Sequence, residues 1–288
     1  MKVGLFASCA IALSLAPLTV PAQGVVLSAT EARPLPSRVV GHDYQIFVAK
    51  PDGYDTATAR YPVLYMLDAY DQFALVTQLY RILRLSGQVP PLLLIGISYP
   101  GTFADYIRWR ALDFTPTKLS VDSVRRLYGA GMAGFTPASG GMDAFLRSLQ
   151  TELIPFVEQN YKANPNDRAI LGMSYGGLLT ASLVARSPQL FQRVLVGSPA
   201  LWWDDYVFFK TAPPDLASLQ SPMRVLLTVG ADETSDMLTA YDRFRSYLEA
   251  LAARTPGFTV TAVKFPGESH MTVQGTMYSR ALRALYSK

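Results

Sequence analysis

Residues 168–177 read Arg-Ala-Ile-Leu-Gly-Met-Ser-Tyr-Gly-Gly, and they are the most informative part of the sequence about the fold. It begins with an apolar run that predicts a buried strand, and residues 178–185, rich in Leu, Ala and Ser, predict a helix after it. Between strand and helix lies Gly-x-Ser-x-Gly, whose small residues permit the sharp turn that exposes the hydroxyl of Ser174. A glycine-rich turn that holds an anion at a helix N-terminus is the simpler alternative. The strand–turn–helix context favours a nucleophilic serine.

Short apolar runs recur along the chain, and each has the length of a strand. They lie at residues 45–49, 61–67, 92–97, 194–196, 225–229 and 259–265. Continuous apolar runs indicate strands covered on both faces, as in a parallel sheet between helices. Apolar residues at helical spacing lie between them, at residues 145–157 and 238–251. The alternation predicts one α/β domain over residues 23–288, a doubly wound, mostly parallel sheet with helices on both faces and an excursion at about residues 100–141.

Composition and charge exclude several classes of protein. The chain has 288 residues, of which 50% are hydrophobic and 17% charged, and this excludes a disordered or coiled-coil protein. Its net charge is +4 and its longest basic run is Arg125-Arg126, which argues against a nucleic-acid partner. The single cysteine, Cys9, excludes an internal disulfide and a thiolate metal cluster, and neither a metal nor a cofactor is predicted. His42 and His270 are the only imidazoles.

Residues 1–22 have the features of a secretory signal peptide. A positive start is followed by an apolar stretch at residues 3–18, and small residues precede the expected cleavage site. A transmembrane anchor is the alternative, but spanning a bilayer takes about 20 unbroken apolar residues and Pro17 and Pro21 interrupt this stretch. We expect cleavage near Ala22, export to the periplasm or the medium, and no membrane span in the mature chain.

A serine nucleophile needs a base, and only two imidazoles compete for that role. His270 lies in a loop after the last predicted strand, whereas His42 precedes the first strands, so the chain order favours His270. A carboxylate should hold the imidazole, and Asp232 and Glu233 both follow the strand at residues 225–229. The residues alone leave the choice between these two open, and either could instead cap the next helix.

An oxyanion hole is expected from two backbone N–H groups. Tyr175 follows the nucleophile and is expected to supply one of them. The other is expected from Ala69 or Tyr70, which follow the strand at residues 61–67. Asp68 could alternatively only cap the helix that starts there.

Aromatic and basic residues are candidates for substrate contact. Trp202 and Trp203 follow the strand at residues 194–196 and are expected near the rim of the site, where indoles can stack on an aryl ester. Packing beneath a loop is an equally acceptable interpretation of both indoles. Arg110 could bind an anionic substrate or pair with Asp113, and structural pairing is favoured.

Several of these segments, taken in chain order, resemble a known family. They are residues 61–70, 110–117, 141–161, 172–177, 198–204 and 230–233. They resemble the putative esterase family of α/β-hydrolases, which includes esterase D-like enzymes, enterobactin and salmochelin esterases and feruloyl esterase domains. The resemblance covers nearly all of residues 38–288. It implies Ser174 as nucleophile and His270 as base. It also implies Glu233 as the acid, with Asp232 as second choice.

The resemblance further implies a serine carboxylic ester hydrolase that acts on a small-molecule ester through an acyl-enzyme, and residues 1–22 predict that this hydrolase is exported. A catecholate siderophore trilactone is the leading substrate, and feruloyl, acetyl or general carboxylic esters are the alternatives. A non-catalytic binding protein on a hydrolase scaffold is the alternative from another class. The chain departs from the family pattern at Ala69, where a glycine is usual, and at Leu112, where a charged residue is usual. The oligomeric state stays open.

Overall fold

A computed structural model describes residues 26–120, 122–124, 138–210, 219 and 221–287 of the chain. The signal peptide expected at residues 1–22 and part of the expected excursion therefore lie outside the described residues. The strands are β1 (Thr30–Pro36), β2 (Asp43–Ala49), β3 (Tyr61–Met66), β4 (Leu93–Ser98), β5 (Ala163–Met173), β6 (Arg193–Gly197), β7 (Met223–Gly230) and β8 (Phe258–Phe265). The main helices are α1 (Ala69–Leu85), α2 (Phe103–Asp113), α3 (Met142–Ser148), α4 (Ile154–Asn160), α5 (Tyr175–Arg186), α6 (Ser235–Ala252) and α7 (Gln274–Tyr286).

The strands form one eight-stranded sheet in the order β1-β2-β4-β3-β5-β6-β7-β8. Strands β3 to β8 pair in parallel, whereas β1 and β2 run antiparallel to their neighbours. This confirms the predicted α/β fold with a mostly parallel sheet. The apolar runs do not reveal β1, because this edge strand is mostly exposed and contains Pro34 and Pro36. Proline is tolerated there since an edge strand pairs along one side only.

Two hydrophobic cores lie on opposite faces of the sheet, which explains the continuous apolar runs. In β3, Val63 and Tyr65 pack into one core, and Leu64 and Met66 pack into the other. Helices α5 and α6 cover the first face, and α1 and α7 cover the second. Within the described residues, no helix is long and apolar enough to cross a membrane.

The helical period at residues 145–157 is interrupted by a wider turn. Helix α3 ends at Ser148, Leu149–Leu153 form a π-helical turn, and α4 begins at Ile154. Pro155 explains the interruption, because proline has no N–H to donate and its ring clashes with the carbonyl of the preceding turn.

The excursion expected at about residues 100–141 contains a regular helix, which its composition does not predict. Helix α2 occupies Phe103–Asp113, where no periodicity was apparent from the sequence. A capping box starts it: Thr102 accepts from the Asp105 N–H, and the Asp105 carboxylate accepts from the Thr102 N–H. The helix lies against the carboxyl end of β3, where its Tyr106 contacts Asp68.

Candidate active site

Ser174 lies on the tight turn between β5 and α5. Its backbone has φ 59° and ψ −118°, a conformation that non-glycine residues seldom adopt. The flanking glycines are required by close approach: a Cβ at Gly172 would lie 2.2 Å from the Gly176 carbonyl oxygen, and one at Gly177 would lie 2.4 Å from that of Gly197. The turn therefore has the geometry that the Gly-x-Ser-x-Gly pattern predicts.

The structure brings His270 and Glu233 together at the ends of β8 and β7. His270 Nδ1 lies 2.8 Å from Glu233 Oε2. The imidazole side chain is 36% exposed, whereas the Glu233 side chain is fully buried. Asp232 is exposed, and its N–H donates to the Glu268 carbonyl oxygen. Of the two carboxylates that the residues alone left open, Glu233 is the one that contacts the imidazole.

The Glu233 carboxylate is held by more than the imidazole. Its Oε1 accepts from the Ser198 hydroxyl at 2.5 Å and from the Gly230 N–H at 2.9 Å. Burial raises the pKa of Glu233, but the hydrogen bonds from His270, Ser198 and Gly230 more than offset burial, so the pKa lies below its ordinary value. Glu233 is therefore an anion at neutral pH. No sequence signal marks Ser198 as part of this group, because 35 residues separate it from Glu233.

Ser174, Glu233 and His270 lie at one edge of the sheet, because β5, β7 and β8 are parallel and end there. Among the described residues, no hydrogen bond joins the Ser174 hydroxyl to His270. In free hydrolases such contacts are often long and shorten when the substrate binds. The same part of the chain contains no cluster of three His, Cys, Asp or Glu side chains that could hold a metal ion.

The expected oxyanion donors are both first residues of helices. Tyr175 begins α5 and Ala69 begins α1, so their N–H groups belong to helix N-termini, where the dipole favours negative charge. Asp68 precedes α1 in the left-handed conformation, with φ 56°, and its side chain makes no capping hydrogen bond. Asp68 therefore occupies the N-cap position of α1, and its carbonyl oxygen accepts from the N–H groups of the first turn, but its carboxylate is not the cap.

Asp68 instead forms a buried ion pair with Arg110. The guanidinium donates from Nε at 2.6 Å and from Nη2 at 3.0 Å to the two carboxylate oxygens, and the Tyr106 hydroxyl adds a third hydrogen bond at 3.0 Å. Burial lowers the pKa of Arg110, but attraction to Asp68 outweighs burial and raises it. The guanidinium also lies 5.1 Å from the centre of the Tyr175 ring. This ion pair links the Ala69 turn to α2 and α5.

The expected pairing of Arg110 with Asp113 is wrong. Asp113 Oδ2 is occupied by the hydroxyls of Tyr44 and Tyr99, and it lies 3.0 Å from His42 Nε2. The prediction that Arg110 forms a structural ion pair is confirmed, but its partner is Asp68, which follows β3.

The two tryptophans have different environments. Trp203 is only 1% exposed, its indole N–H donates to Thr117, and its ring contacts Tyr175 edge-on at 5.2 Å. The structure thus places Trp203 in the core, which corrects the expectation that it lies at the rim. Trp202 is half-buried, and its indole N–H lies 2.8 Å from the Met237 sulfur.

Exposed aromatic residues lie on the other side of the nucleophile. Tyr70 follows Ala69 in the chain, is partly exposed, and stacks on Tyr106 at 5.0 Å between ring centres. Phe103 is 55% exposed and lies 6.0 Å from Tyr70. Ile107, one helical turn further along α2, is also exposed. Phe103 is not marked by any pattern in the sequence, because the helix that carries it was not predicted.

The chain is similar to known proteins in sequence and in structure. The family model described as putative esterase matches residues 37–263. The ferri-bacillibactin esterase BesA of Bacillus subtilis (strain 168) is 30% identical over 264 residues, which cover 88% of each chain. The apo-salmochelin esterase of Escherichia coli O6:H1 is 31% identical over 160 residues, or 55% of this chain and 47% of that protein. The crystal structure of the BES protein from Bacillus cereus has a TM-score of 0.80 and 25% identity, covering 93% of this chain and all of that one.

Proposed function

The chain belongs to the putative esterase family and is a serine esterase, and we propose that Ser174, His270 and Glu233 are its catalytic triad. The observation that carries the proposal is the contact of His270 with an ionised, buried Glu233 at the edge of the sheet where Ser174 lies. Asp232 is not part of this triad, since it is exposed beside it.

Each group has one step in the proposed reaction. His270 takes the hydroxyl proton as Ser174 Oγ attacks the acyl carbon of the ester. Glu233 accepts a hydrogen bond from Nδ1 and stabilises the imidazolium that forms. The imidazolium then gives its proton to the leaving alcohol, which leaves an acyl-enzyme on Ser174. Water attacks this acyl group with His270 again as base, and the acid product departs with Ser174 restored.

The N–H groups of Tyr175 and Ala69 are the proposed oxyanion donors. Both belong to helix N-termini, whose dipoles favour the negative charge that develops on the carbonyl oxygen. Backbone donors make the side chain at residue 69 unimportant for hydrogen bonding, so alanine can replace the usual glycine wherever its methyl group fits. The Asp68–Arg110 ion pair supports this turn, which gives Arg110 a role behind the oxyanion hole rather than in substrate contact.

The proposed substrate is a catecholate siderophore trilactone. The two relatives described above are named as esterases of ferri-bacillibactin and of apo-salmochelin, and a further relative, 24% identical over 85% of this chain, is named as a siderophore esterase. Tyr70 and Phe103 offer exposed aromatic faces next to Ala69, where the aryl groups of such an ester can stack. Trp202 stays a proposed contact on the opposite side.

The proposed compartment is the periplasm or the medium. The support is the pattern of residues 1–22, namely a positive start, an apolar stretch and small residues before the cleavage site. Expression of the full chain followed by N-terminal sequencing tests this point. A mature N-terminus at Gln23 is expected, and an intact Met1 in the cell extract contradicts export.

A substrate panel tests the function. Ferric enterobactin, methyl ferulate and p-nitrophenyl butyrate are compared by kcat/KM, with ferric enterobactin expected to be the best of the three. Ser174→Ala should lower kcat by about 10⁴-fold or more for every ester. Binding of the siderophore without hydrolysis by the wild type would show a binding protein on a hydrolase scaffold. If kcat/KM is higher by orders of magnitude for methyl ferulate or for p-nitrophenyl butyrate, the siderophore proposal is wrong, and a feruloyl esterase or a general carboxylesterase takes its place.

Matched variants test the aryl contact. Phe103→Ala should lower kcat/KM about fivefold for ferric enterobactin and methyl ferulate but not for ethyl butyrate, which has no aromatic ring, because an aromatic contact contributes about 1 kcal/mol. Leu85→Ala is the control, since Leu85 is as exposed as any apolar side chain on α1 but lies at the end of that helix remote from Ala69. Equal losses on all esters, or a similar loss in the control, contradict an aryl wall at Phe103.

A further inference from the structure

We propose that Ser198 is a positioning residue that fixes the Glu233 carboxylate against His270 and couples it to the turn that carries Ser174. This inference rests on the proposed triad. Ser198 follows β6, which lies in the sheet between β5, the strand before Ser174, and β7, the strand before Glu233. It is fully buried, and its hydroxyl donates to Glu233 Oε1 at 2.5 Å.

The loop that contains Ser198 contacts the nucleophile through its backbone. The Ser174 N–H donates to the Gly197 carbonyl oxygen at 3.0 Å, and the Ala200 N–H donates to the Ser174 carbonyl oxygen at 3.0 Å. The Ser198 N–H donates to Thr228 in β7 at 2.8 Å. The segment from Gly197, the last residue of β6, to Ala200 is therefore hydrogen-bonded to Ser174 on one side and to β7, which precedes Glu233, on the other.

The backbone of Ser198 is held in an unusual conformation. Its φ is 38°, in the left-handed region that non-glycine residues seldom occupy. Such conformations persist where the surroundings enforce them, and they concentrate at functional sites. With the backbone in this conformation, the hydroxyl meets Glu233.

Ser198 and His270 have separate oxygens on the same carboxylate. Oε1 is occupied by Ser198 and the Gly230 N–H, so Oε2 is left to His270. Among the described residues, His270 is the titratable group that contacts Glu233. Removing the hydroxyl lets the carboxylate rotate and leaves more charge on it, because one donor is lost. Ser198 thus acts on the imidazole through Glu233 rather than by touching the substrate.

Ser198→Ala tests the kinetic consequence. Loss of one hydrogen bond to a buried ion should lower kcat about tenfold and leave KM within about twofold. The acid limb of the kcat/KM profile should move to higher pH, because a more basic carboxylate favours the imidazolium. Ser198→Gly is the second variant, since glycine adopts positive φ without strain and keeps the fold accessible if alanine does not.

Ser148→Ala is the matched control. Ser148 is also fully buried and donates to a carboxylate, that of Glu152, at 2.7 Å, but this pair lies on α3 and the π turn after it. The control should lower stability while kcat and the pH profile stay at wild-type values. A pH profile that moves equally in Ser148→Ala and Ser198→Ala, or in neither, overturns the proposal.

A double-mutant cycle with Glu233→Gln separates positioning from general damage. If Ser198 acts through Glu233, Ser198→Ala should lower kcat less than twofold in the Glu233→Gln background. A full tenfold loss in that background overturns the proposal.

The same cycle on urea unfolding needs no activity. The pH dependence of the Ser198→Ala effect on stability should disappear in the Glu233→Gln background, because the hydroxyl stabilises the ionised carboxylate. If the wild type hydrolyses no ester, the proposed function has failed, and this measurement still decides whether Ser198 holds Glu233. Identical pH dependence in both backgrounds contradicts the coupling.

Discussion

The protein has two histidines, and each contacts a buried carboxylate at the same edge of the sheet. His270 follows β8 and contacts Glu233 at 2.8 Å, and His42 precedes β2 and contacts Asp113 at 3.0 Å. Because β2 is antiparallel to β4, its start lies beside the carboxyl end of β4. In the strand order, β2 and β8 are each three strands from β5, which carries Ser174. Position along the sheet therefore does not distinguish the two pairs.

The two histidine–carboxylate pairs differ in their exposure to solvent and in their hydrogen bonds toward Ser174. The His42 side chain is 6% exposed and stacks on Trp109 at 4.3 Å between ring centres, so it cannot reach a substrate without unpacking. His270 is six times more exposed, at 36%. Its partner Glu233 accepts a hydrogen bond from Ser198, and the backbone next to Ser198 is hydrogen-bonded to Ser174. A histidine–carboxylate contact becomes a candidate for catalysis only when it is both open to solvent and linked to a nucleophile.

The largest expected effect separates the two histidines. His270→Ala should lower kcat for p-nitrophenyl butyrate by about 10⁴-fold or more, because it removes the proposed base for Ser174. His42→Ala should keep kcat within about tenfold and lower the free energy of unfolding by about 1–3 kcal/mol, since a buried stacked ring is lost. Steady-state kinetics and urea unfolding on both variants measure this. Comparable loss of kcat in the two variants breaks the distinction.

The next largest effect distinguishes Glu233, which contacts His270, from its neighbour Asp232. Glu233→Gln should lower kcat by about 10³-fold or more, because an amide cannot hold the imidazolium. The free energy of unfolding should change little by comparison, since the side chain keeps its volume and one acceptor. Asp232→Asn, on the exposed neighbour, should retain wild-type kcat. If Asp232→Asn is the damaging change, the acid has been misassigned.

How far the sequence determines this site depends on whether a feature is local. The turn at Ser174 was predictable because strand, glycines and helix lie within 18 residues, from 168 to 185. His270 was predictable from the scarcity of imidazoles and the chain order. Asp232 and Glu233 are adjacent, so only the path of the loop after β7 decides which one faces the imidazole, and a linear pattern does not contain that path.

Contacts between distant segments were beyond the sequence. The partner of Arg110 is 42 residues away, at Asp68, although a nearer acid, Asp113, was available. Trp202 and Trp203 are neighbours of identical type, yet one is in the core and the other is half-buried. Ser198 lies in a segment that carries the family resemblance, but 35 residues separate it from Glu233, so their contact does not show in the sequence. These assignments need the packing of several elements at once.

Asp113→Ala should affect stability more than activity, which sharpens the contrast with Glu233. Asp113 is fully buried, and its Oδ2 contacts His42, Tyr44 and Tyr99, so truncation leaves three buried polar groups without their acceptor. The free energy of unfolding should fall by about 3 kcal/mol. Urea unfolding measures the loss, and kcat measured at a temperature where the variant stays folded should remain within about tenfold. A loss of kcat as large as in Glu233→Gln contradicts a purely structural role for the His42–Asp113 pair.

The smallest expected effect is the pH dependence of stability that Glu233 contributes. Its folded pKa is below the ordinary value: burial raises it, and the hydrogen bonds from His270, Ser198 and Gly230 lower it further than burial raises it. A group of this kind contributes stability above its unfolded pKa, about 4.3, and the contribution is lost as the pH falls through the folded value. The stability of the wild type relative to Glu233→Gln should therefore decrease between about pH 6 and pH 3, as followed by urea unfolding.

Glu152→Gln provides the matching measurement away from the site. Burial raises the pKa of Glu152, and hydrogen bonds from Ser37, Ser148 and two backbone N–H groups lower it overall, so its stability contribution has the same sign and the same pH window. Its kcat should be that of the wild type, because Glu152 contacts neither imidazole. Both glutamates would then contribute a stability that is lost at acid pH, whereas only the substitution of Glu233 would lower kcat. A constant stability difference between wild type and Glu233→Gln across this pH range contradicts an ionised Glu233 held by those donors.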